Sequence, residues 1–146
     1  MIVLRRAMAE DAQAIAIVHR TAMRVSLSFL PELHTADEDL RFFAERFLPA
    51  NTVWVAESGA GIAGYIGFDH DWIHHLYVAP AFQGQGVGPR LLALALADGH
   101  QRQLWTFQQN ARARRFYEAR GFVLVALTDG AGNEEKTPDA LYEWRG

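Results

Sequence analysis

WIHHLYVAPAFQGQGVGPRLL, running from Trp72 to Leu92, is the stretch on which the fold turns. It begins as a β-strand: Ile73, Leu76, Tyr77 and Val78 are β-branched, aromatic or otherwise apolar. Ala79-Pro80 ends that run, because proline has no N–H for a ladder and biases its predecessor away from helix. It ends as a helix, since Leu91, Leu92, Leu94 and Leu96 among alanines make an apolar face at helical spacing. Between the two, Gln83-Gly84-Gln85-Gly86-Val87-Gly88 alternates glycine with other residues. Such a turn presents successive backbone N–H groups with no Cβ in front of them. It also leads into a helix N-terminus carrying roughly half a positive charge, a combination that suits a diphosphate. Spacing excludes two familiar phosphate motifs: no Gly-Lys-Ser/Thr follows for a P-loop, and Pro89 stands where the third glycine of GxGxxG would be.

Upstream, Thr52–Glu57 (TVWVAE) alternates as a strand, Ser58-Gly59-Ala60-Gly61 is a tight turn, and Ile62–Phe68 is a second strand. Asp69-His70-Asp71 then turns the chain into the Trp72 strand. With Ile2–Arg6 these make four consecutive strands, most simply an antiparallel meander whose last member feeds the glycine loop. Ala9–Met23 reads as a helix with Glu10 and Asp11 in its first turn and Ile15, Val18 and Ala22 on one face. Thr35 with Glu38 makes a capping box for a second helix, whose buried stripe is Leu40, Phe43 and Phe47 and whose end is Pro49. Val25–Thr35, between those helices, has no period yet is too apolar for a solvated loop. It is expected to pack over something, a substrate cleft among the candidates.

Downstream, Asp98-Gly99 stops the Leu/Ala helix and Leu104–Gln108 is a strand. A strand, helix, strand connection of this length makes parallel neighbours. Asn110 caps the helix ARARRFYEARG, which Gly121 ends. Phe122–Leu127 is a strand, Thr128–Pro138 a polar turn and Ala140–Trp144 the last strand.

Composition narrows the class. A chain of 146 residues, half of them hydrophobic and 21% charged, reads as one globular domain over 1–146. The absence of cysteine excludes a disulfide framework, a thiolate nucleophile and a thiolate zinc site, and fits a reducing compartment. Arg5, Arg6, Glu10 and Asp11 interrupt the N-terminus where a signal peptide would be apolar, and no apolar run approaches the roughly 20 residues of a membrane span. A net charge of −3 argues against a nucleic-acid partner. The expectation is a cytoplasmic protein with a small, cationic substrate, free of membrane and nucleic acid, and compatible with a homodimer.

The order strand, Val-x-Pro, Gln-x-x-Gly-x-Gly, Leu/Ala helix is followed by Asn110, Ala113, Phe116-Tyr117-Glu118 and Gly121-Phe122. This pattern resembles the GNAT family of acyl-CoA-dependent N-acetyltransferases. The resemblance spans most of the chain, with Leu76–Leu92 and Asn110–Phe122 as its specific parts. It implies an α/β fold, a single GNAT-type domain with a mixed, mostly antiparallel sheet of about seven strands flanked by about four helices and splayed between the strands at Trp72 and Leu104. It implies acetyl-CoA as acyl donor, with the backbone of Leu76, Tyr77 and Val78 along the pantetheine arm and the loop Gln83, Gly84, Gln85, Gly86, Val87, Gly88 around the pyrophosphate. Asn110, Ala113 and Phe116 would complete the cofactor contacts, and Tyr117 would protonate the departing thiolate. A phenol near pKa 10 can do this for a thiol of about 8.5 in a dry site. Pro89 departs from the pattern by lacking one amide donor, a neutral hydrogen bond worth about 0.5–1.5 kcal/mol. Arg112, Arg114, Arg115 and Arg120 supply cations for the ribose 3′-phosphate, without the sequence choosing among them.

The acceptor side departs further. In this family a glutamate six residues ahead of the strand valine often receives the amine proton; here that position is Trp72. Strand alternation places Trp72, His74, Leu76 and Val78 on one face, which makes His74 the nearest replacement and turns His75 away. A metal site from Asp69, His70, Asp71, His74 and His75 is disfavoured, because sequential neighbours on a strand and its turn rarely reach one ion; no metal is expected. Phe29, Glu32 and His34 in the aperiodic segment, and Glu134 and Glu135 in the last turn, are the acceptor-side candidates. Two rival readings stand beside the enzyme: an acyl-CoA sensor that does not turn over, and an acetyltransferase of protein N-termini.

Overall fold

The computed structural model describes residues 1–146 and resolves the alternating segments into two antiparallel sheets. The first runs β1 (Val3–Arg6), β2 (Thr52–Ser58), β3 (Gly61–Phe68), β4 (Ile73–Val78) in that order, the expected meander. The second contains β5 (Arg102–Phe107), β6 (Val123–Thr128) and β7 (Asp139–Trp144) in the order β5-β7-β6. Four helices accompany them: α1 (Ala12–Ser26), α2 (Ala36–Phe42), α3 (Val87–Leu96) and α4 (Ala111–Glu118). α2 continues through a π-helical turn, Phe43–Phe47, into Leu48–Ala50. None is long and apolar enough to cross a membrane.

β4 and β5 touch as parallel neighbours at one bridge, Trp72 with Gln103, where Gln103 N–H donates to the Asp71 carbonyl at 2.8 Å. Beyond it they part, the expected splay. β3 lies inside the first sheet with both faces covered, so it reads as a nearly continuous apolar run. Ile66 faces α3 among Leu91, Leu92, Leu104 and Tyr142, and its neighbour Tyr65 faces α1 among Ile15, Phe43, Phe47 and Val55. Glycines let the second layer close on β3: a Cβ at Gly67 would lie 2.1 Å from the Phe47 ring, and one at Gly64 would lie 2.9 Å from the Tyr77 carbonyl oxygen.

The caps form as read. Glu38 N–H donates to Thr35 Oγ1 at 3.2 Å while Thr35 N–H donates to Glu38 Oε1 at 2.9 Å, Ala113 N–H donates to Asn110 Oδ1 at 3.2 Å, and Gly121 takes φ 90°. The first helix differs from expectation. A 3-10 turn, Ala9–Asp11, precedes it, and Asp11 receives Arg5 through two bonds of 2.8 and 2.9 Å and Met8 N–H at 2.7 Å. The larger correction is in β4. Phe68 pairs with Ile73 and Gly67 with His75, so His74 is an extra, unpaired residue in a β-bulge. A bulge resets the alternation, and the face predicted from Trp72 through Val78 is broken at His74.

Candidate active site

Past its bulge, β4 pairs with β3 through alternate residues. Ala79 N–H donates to the Ala63 carbonyl at 2.8 Å, and the register Tyr65 with Tyr77 and Gly67 with His75 continues the series. Tyr77 and His75 therefore bond toward β3, while the N–H groups of Leu76 and Val78 point to the open edge facing the splay.

That edge runs into the glycine loop. Gly84 and Gly86 both have φ 79°, and a Cβ at either would meet nothing within 4 Å. Backbone conformation, not crowding, thus demands glycine there, and the space before the loop is open to a ligand. None of the N–H groups from Gly84 to Gly88 donates to another group of the chain. Convergent free amides at the head of α3 fit a pyrophosphate. Pro89 lies among the first four helical positions, whose N–H groups have no intrahelical acceptor, so it removes a ligand donor without breaking a helix bond. A Cβ at Gly88 would stand 3.6 Å from the Phe116 ring, which places α4 against the same loop. Of the four arginines of α4 and its end, Arg112 reaches the loop and donates to Gln83 Oε1 at 2.6 Å. Arg114 is held by the Tyr142 hydroxyl at 3.0 Å, and Arg120 stacks on Phe116 at 4.0 Å.

α4 turns Tyr117 inward, 8% exposed, against Phe116 and Phe122. Its hydroxyl makes no hydrogen bond within the chain. Since Arg102 Nε is the one fully buried side-chain polar atom without a partner, the Tyr117 oxygen faces accessible space. Burial, and then Tyr77, push its pKa well up, which keeps the phenol neutral. Tyr77 is pushed up to about 12 by burial and by the Glu135 charge, so its hydroxyl stands within electrostatic reach of both Tyr117 and Glu135.

On the α1 face of β4 the structure assembles a chain that sequence reading missed. Tyr65 Oη lies 2.9 Å from His75 Nδ1 and 3.2 Å from His19 Nδ1, with the two imidazoles stacked at 5.1 Å. A phenol has one proton, so it donates to one imidazole and accepts from the other. Burial holds His75 well below the usual imidazole range and lowers His19 also, leaving both rings neutral. His75 lies opposite Leu76 and Val78, as alternation predicts, and belongs to this group. His74 does not: it is exposed and pairs with Asp69 at 2.7 Å in the β3–β4 turn, removed from the position predicted for a base by the bulge.

The acceptor-side candidates divide. A cavity of about 440 Å³ opens beside β5, lined by Trp105, Thr106, Phe107, Thr128, Gly132, Asn133, Glu135 and Asp139. Phe29 packs edge-on against Phe107 at 6.2 Å, and His34 bonds Glu134, so the aperiodic segment and the last turn close over one mouth. Burial, and then Glu134, raise the half-buried Glu135 carboxyl, while Glu134 raises His34. Glu32 stands apart in an exposed ion pair with Arg24 at 2.8 Å.

Residues 49–124 match the family model for an acetyltransferase (GNAT) domain. The chain is 34% identical over 98 residues to an uncharacterized N-acetyltransferase of Archaeoglobus fulgidus, spanning 56% of this chain and 66% of that protein. It is 29% identical to the peptidyl-lysine N-acetyltransferase YjaB of Salmonella typhimurium over 88% of both chains. Among solved structures, yncA of Salmonella typhimurium with its cofactor acetyl-CoA superposes with a TM-score of 0.76 at 22% identity, covering 99% of this chain and 94% of that one.

Proposed function

The chain belongs to the GNAT family of acetyl-CoA-dependent N-acetyltransferases, and we propose that it carries an acetyl group to the primary amine of a cationic small molecule or peptide by direct attack. The observation that carries this reading is the row of free N–H groups from Gly84 to Gly88, set between the open edge of β4 and the helix bearing Tyr117.

Acetyl-CoA supplies a thioester carbonyl ready for attack. Leu76 and Val78, whose N–H groups face the splay, would orient the pantetheine arm, with Val78 N–H as the donor that polarises the carbonyl. Gln83 through Gly88 hold the pyrophosphate, Asn110, Ala113 and Phe116 shape the floor, and Arg112 stands beside the loop for a further phosphate. Tyr117 gives its proton to the departing sulfur; the burial that raises the phenol raises a thiolate's proton affinity alongside it. Glu135 and Asp139 at the mouth attract the cation, and the acyl group passes without an enzyme-bound thioester, there being no cysteine. The amine must lose a proton before attack. The His19–Tyr65–His75 chain offers that proton a path: each Nδ1 is tied to Tyr65 Oη, and the ring whose Nδ1–H donates to the phenol keeps an unprotonated Nε2 able to accept. On this reading the protein works in the reducing cytoplasm.

Release of free coenzyme A thiol, measured across polyamines, amino acids, aminoglycosides, lysine peptides and N-terminal peptides, tests the proposal. Release with one amine class identifies the acceptor. Trp72 and Pro89 favour a second reading, an acyl-CoA sensor. In that case acetyl-CoA at a hundred times its dissociation constant still adds about 2.7 kcal/mol of stability, but no amine releases thiol. Gly86→Val, which forces a β-branched residue to φ 79°, is expected to abolish acetyl-CoA binding in calorimetry with the fold retained; undiminished affinity would remove the loop from the site.

A further inference from the structure

We infer that His70, Asp71 and His100 form a binding site for a divalent transition-metal ion at the closed end of the splay, away from the glycine loop. The site does not rest on the acetyl-transfer reading. His70 and Asp71 belong to the turn between β3 and β4, and His100 to the turn between α3 and β5. The Trp72–Gln103 bridge, with Gln103 N–H on the Asp71 carbonyl, brings these two turns together. Neighbouring residues cannot converge from one turn alone; the third donor arrives from across the sheet junction.

The local bonding leaves the three side chains without side-chain partners outside their own group. Asp69 is committed within its turn, accepting Asp71 N–H at 2.9 Å and Trp72 N–H at 2.7 Å and holding His74. Asp71 is thereby turned across the junction. Its Oδ1 lies 3.5 Å from His100 Nε2, while the His70 and His100 rings stack at 3.7 Å. His100 is set by its own N–H on Asp98 Oδ1 at 2.9 Å. One donor atom from each of the three lies within 4.8 Å of the others. An ion with ligand bonds of about 2.0–2.2 Å holds tetrahedral donors roughly 3.3–3.6 Å apart. The Asp71–His100 pair already has that spacing, and the exposed His70 ring completes the set by turning out of its stack on His100.

The donor set fixes the class of ion. Two imidazoles and a carboxylate favour zinc, nickel or copper, whereas calcium and magnesium want oxygen alone. Asp71 keeps 70% of its side chain exposed and the adjoining cavity, about 370 Å³ between Asp71, Trp72, His100, Gln101 and Gln103, admits water to the remaining coordination positions. A bound ion would pin the two turns at the one place where the sheets join.

The untagged 146-residue chain titrated with zinc chloride, nickel chloride and magnesium chloride tests this by calorimetry and thermal melting. The expected result is one zinc or nickel per chain with a raised melting temperature, and no response to magnesium. His100→Ala and Asp71→Asn each weaken binding by about tenfold or more, and His74→Ala leaves it unchanged. Melting without metal reports whether His100→Ala folds; if it does not, the exposed Asp71→Asn carries the test. Absence of binding, equal binding by the native protein and Asp71→Asn, or loss of binding in His74→Ala would overturn the site.

Discussion

Tyr117 is enclosed by aromatic rings and has no partner for its hydroxyl, so deleting that oxygen leaves the packing in place and removes only a proton donor. Tyr117→Phe is expected to lower turnover by about tenfold or more with acetyl-CoA affinity almost unchanged, a split that steady-state kinetics and calorimetry read separately. The two neutral histidines around Tyr65 make a second prediction. Their folded pKa values lie below the imidazole value near 6.5, so the stability they contribute is complete above about pH 6.5 and is lost as pH falls below it, where the unfolded chain takes up protons first. His34, raised by Glu134, runs the other way but is exposed and counts for little. The melting temperature should therefore drop between about pH 6.5 and pH 5, and the drop should shrink in His75→Asn, which cannot titrate.

Among the elements, β3 and β4 decide what the site contains. Gly67 admits the Phe47 ring, and His75 lies opposite it with its centroid 4.5 Å from that ring. Gly67→Ala would drive a methyl group into Phe47, a rigid ring on a packed helix, at an expected cost of about 1–3 kcal/mol in chemical denaturation. The same pair of strands shows how far sequence goes. The glycine loop, the caps at Thr35 and Asn110 and the inward Tyr117 were legible because each is a local pattern whose spacing carries its own geometry. The His19–Tyr65–His75 chain was not, because its members come from α1, β3 and β4, and alternation, which does set His75 opposite Leu76 and Val78, does not say which helix covers that face. What the β4 bulge hides is His74: the inserted residue takes it off the face shared by Leu76 and Val78, and nothing in Ile-His-His-Leu marks which histidine is the extra one. His70, Asp71 and His100 stayed hidden for a related reason, since the contact spans two turns joined only in the folded sheet.

For the whole molecule, the two sheets share one bridge and one core beneath α3 and α4, while the other face of the first sheet packs a second core beneath α1 and α2. The cofactor groove is the gap that this arrangement leaves, which makes the unsatisfied edge of β4 a consequence of the fold as much as of the site. Along that single strand, successive amides face opposite fates in deuterated water. Tyr77, bonded into the ladder, should exchange only when the sheet opens, while Leu76 and Val78 should exchange orders of magnitude sooner and slow sharply once acetyl-CoA lies along the edge. An alternating fast-and-slow record over three neighbouring residues would report occupancy of the groove from the backbone itself, independent of any product.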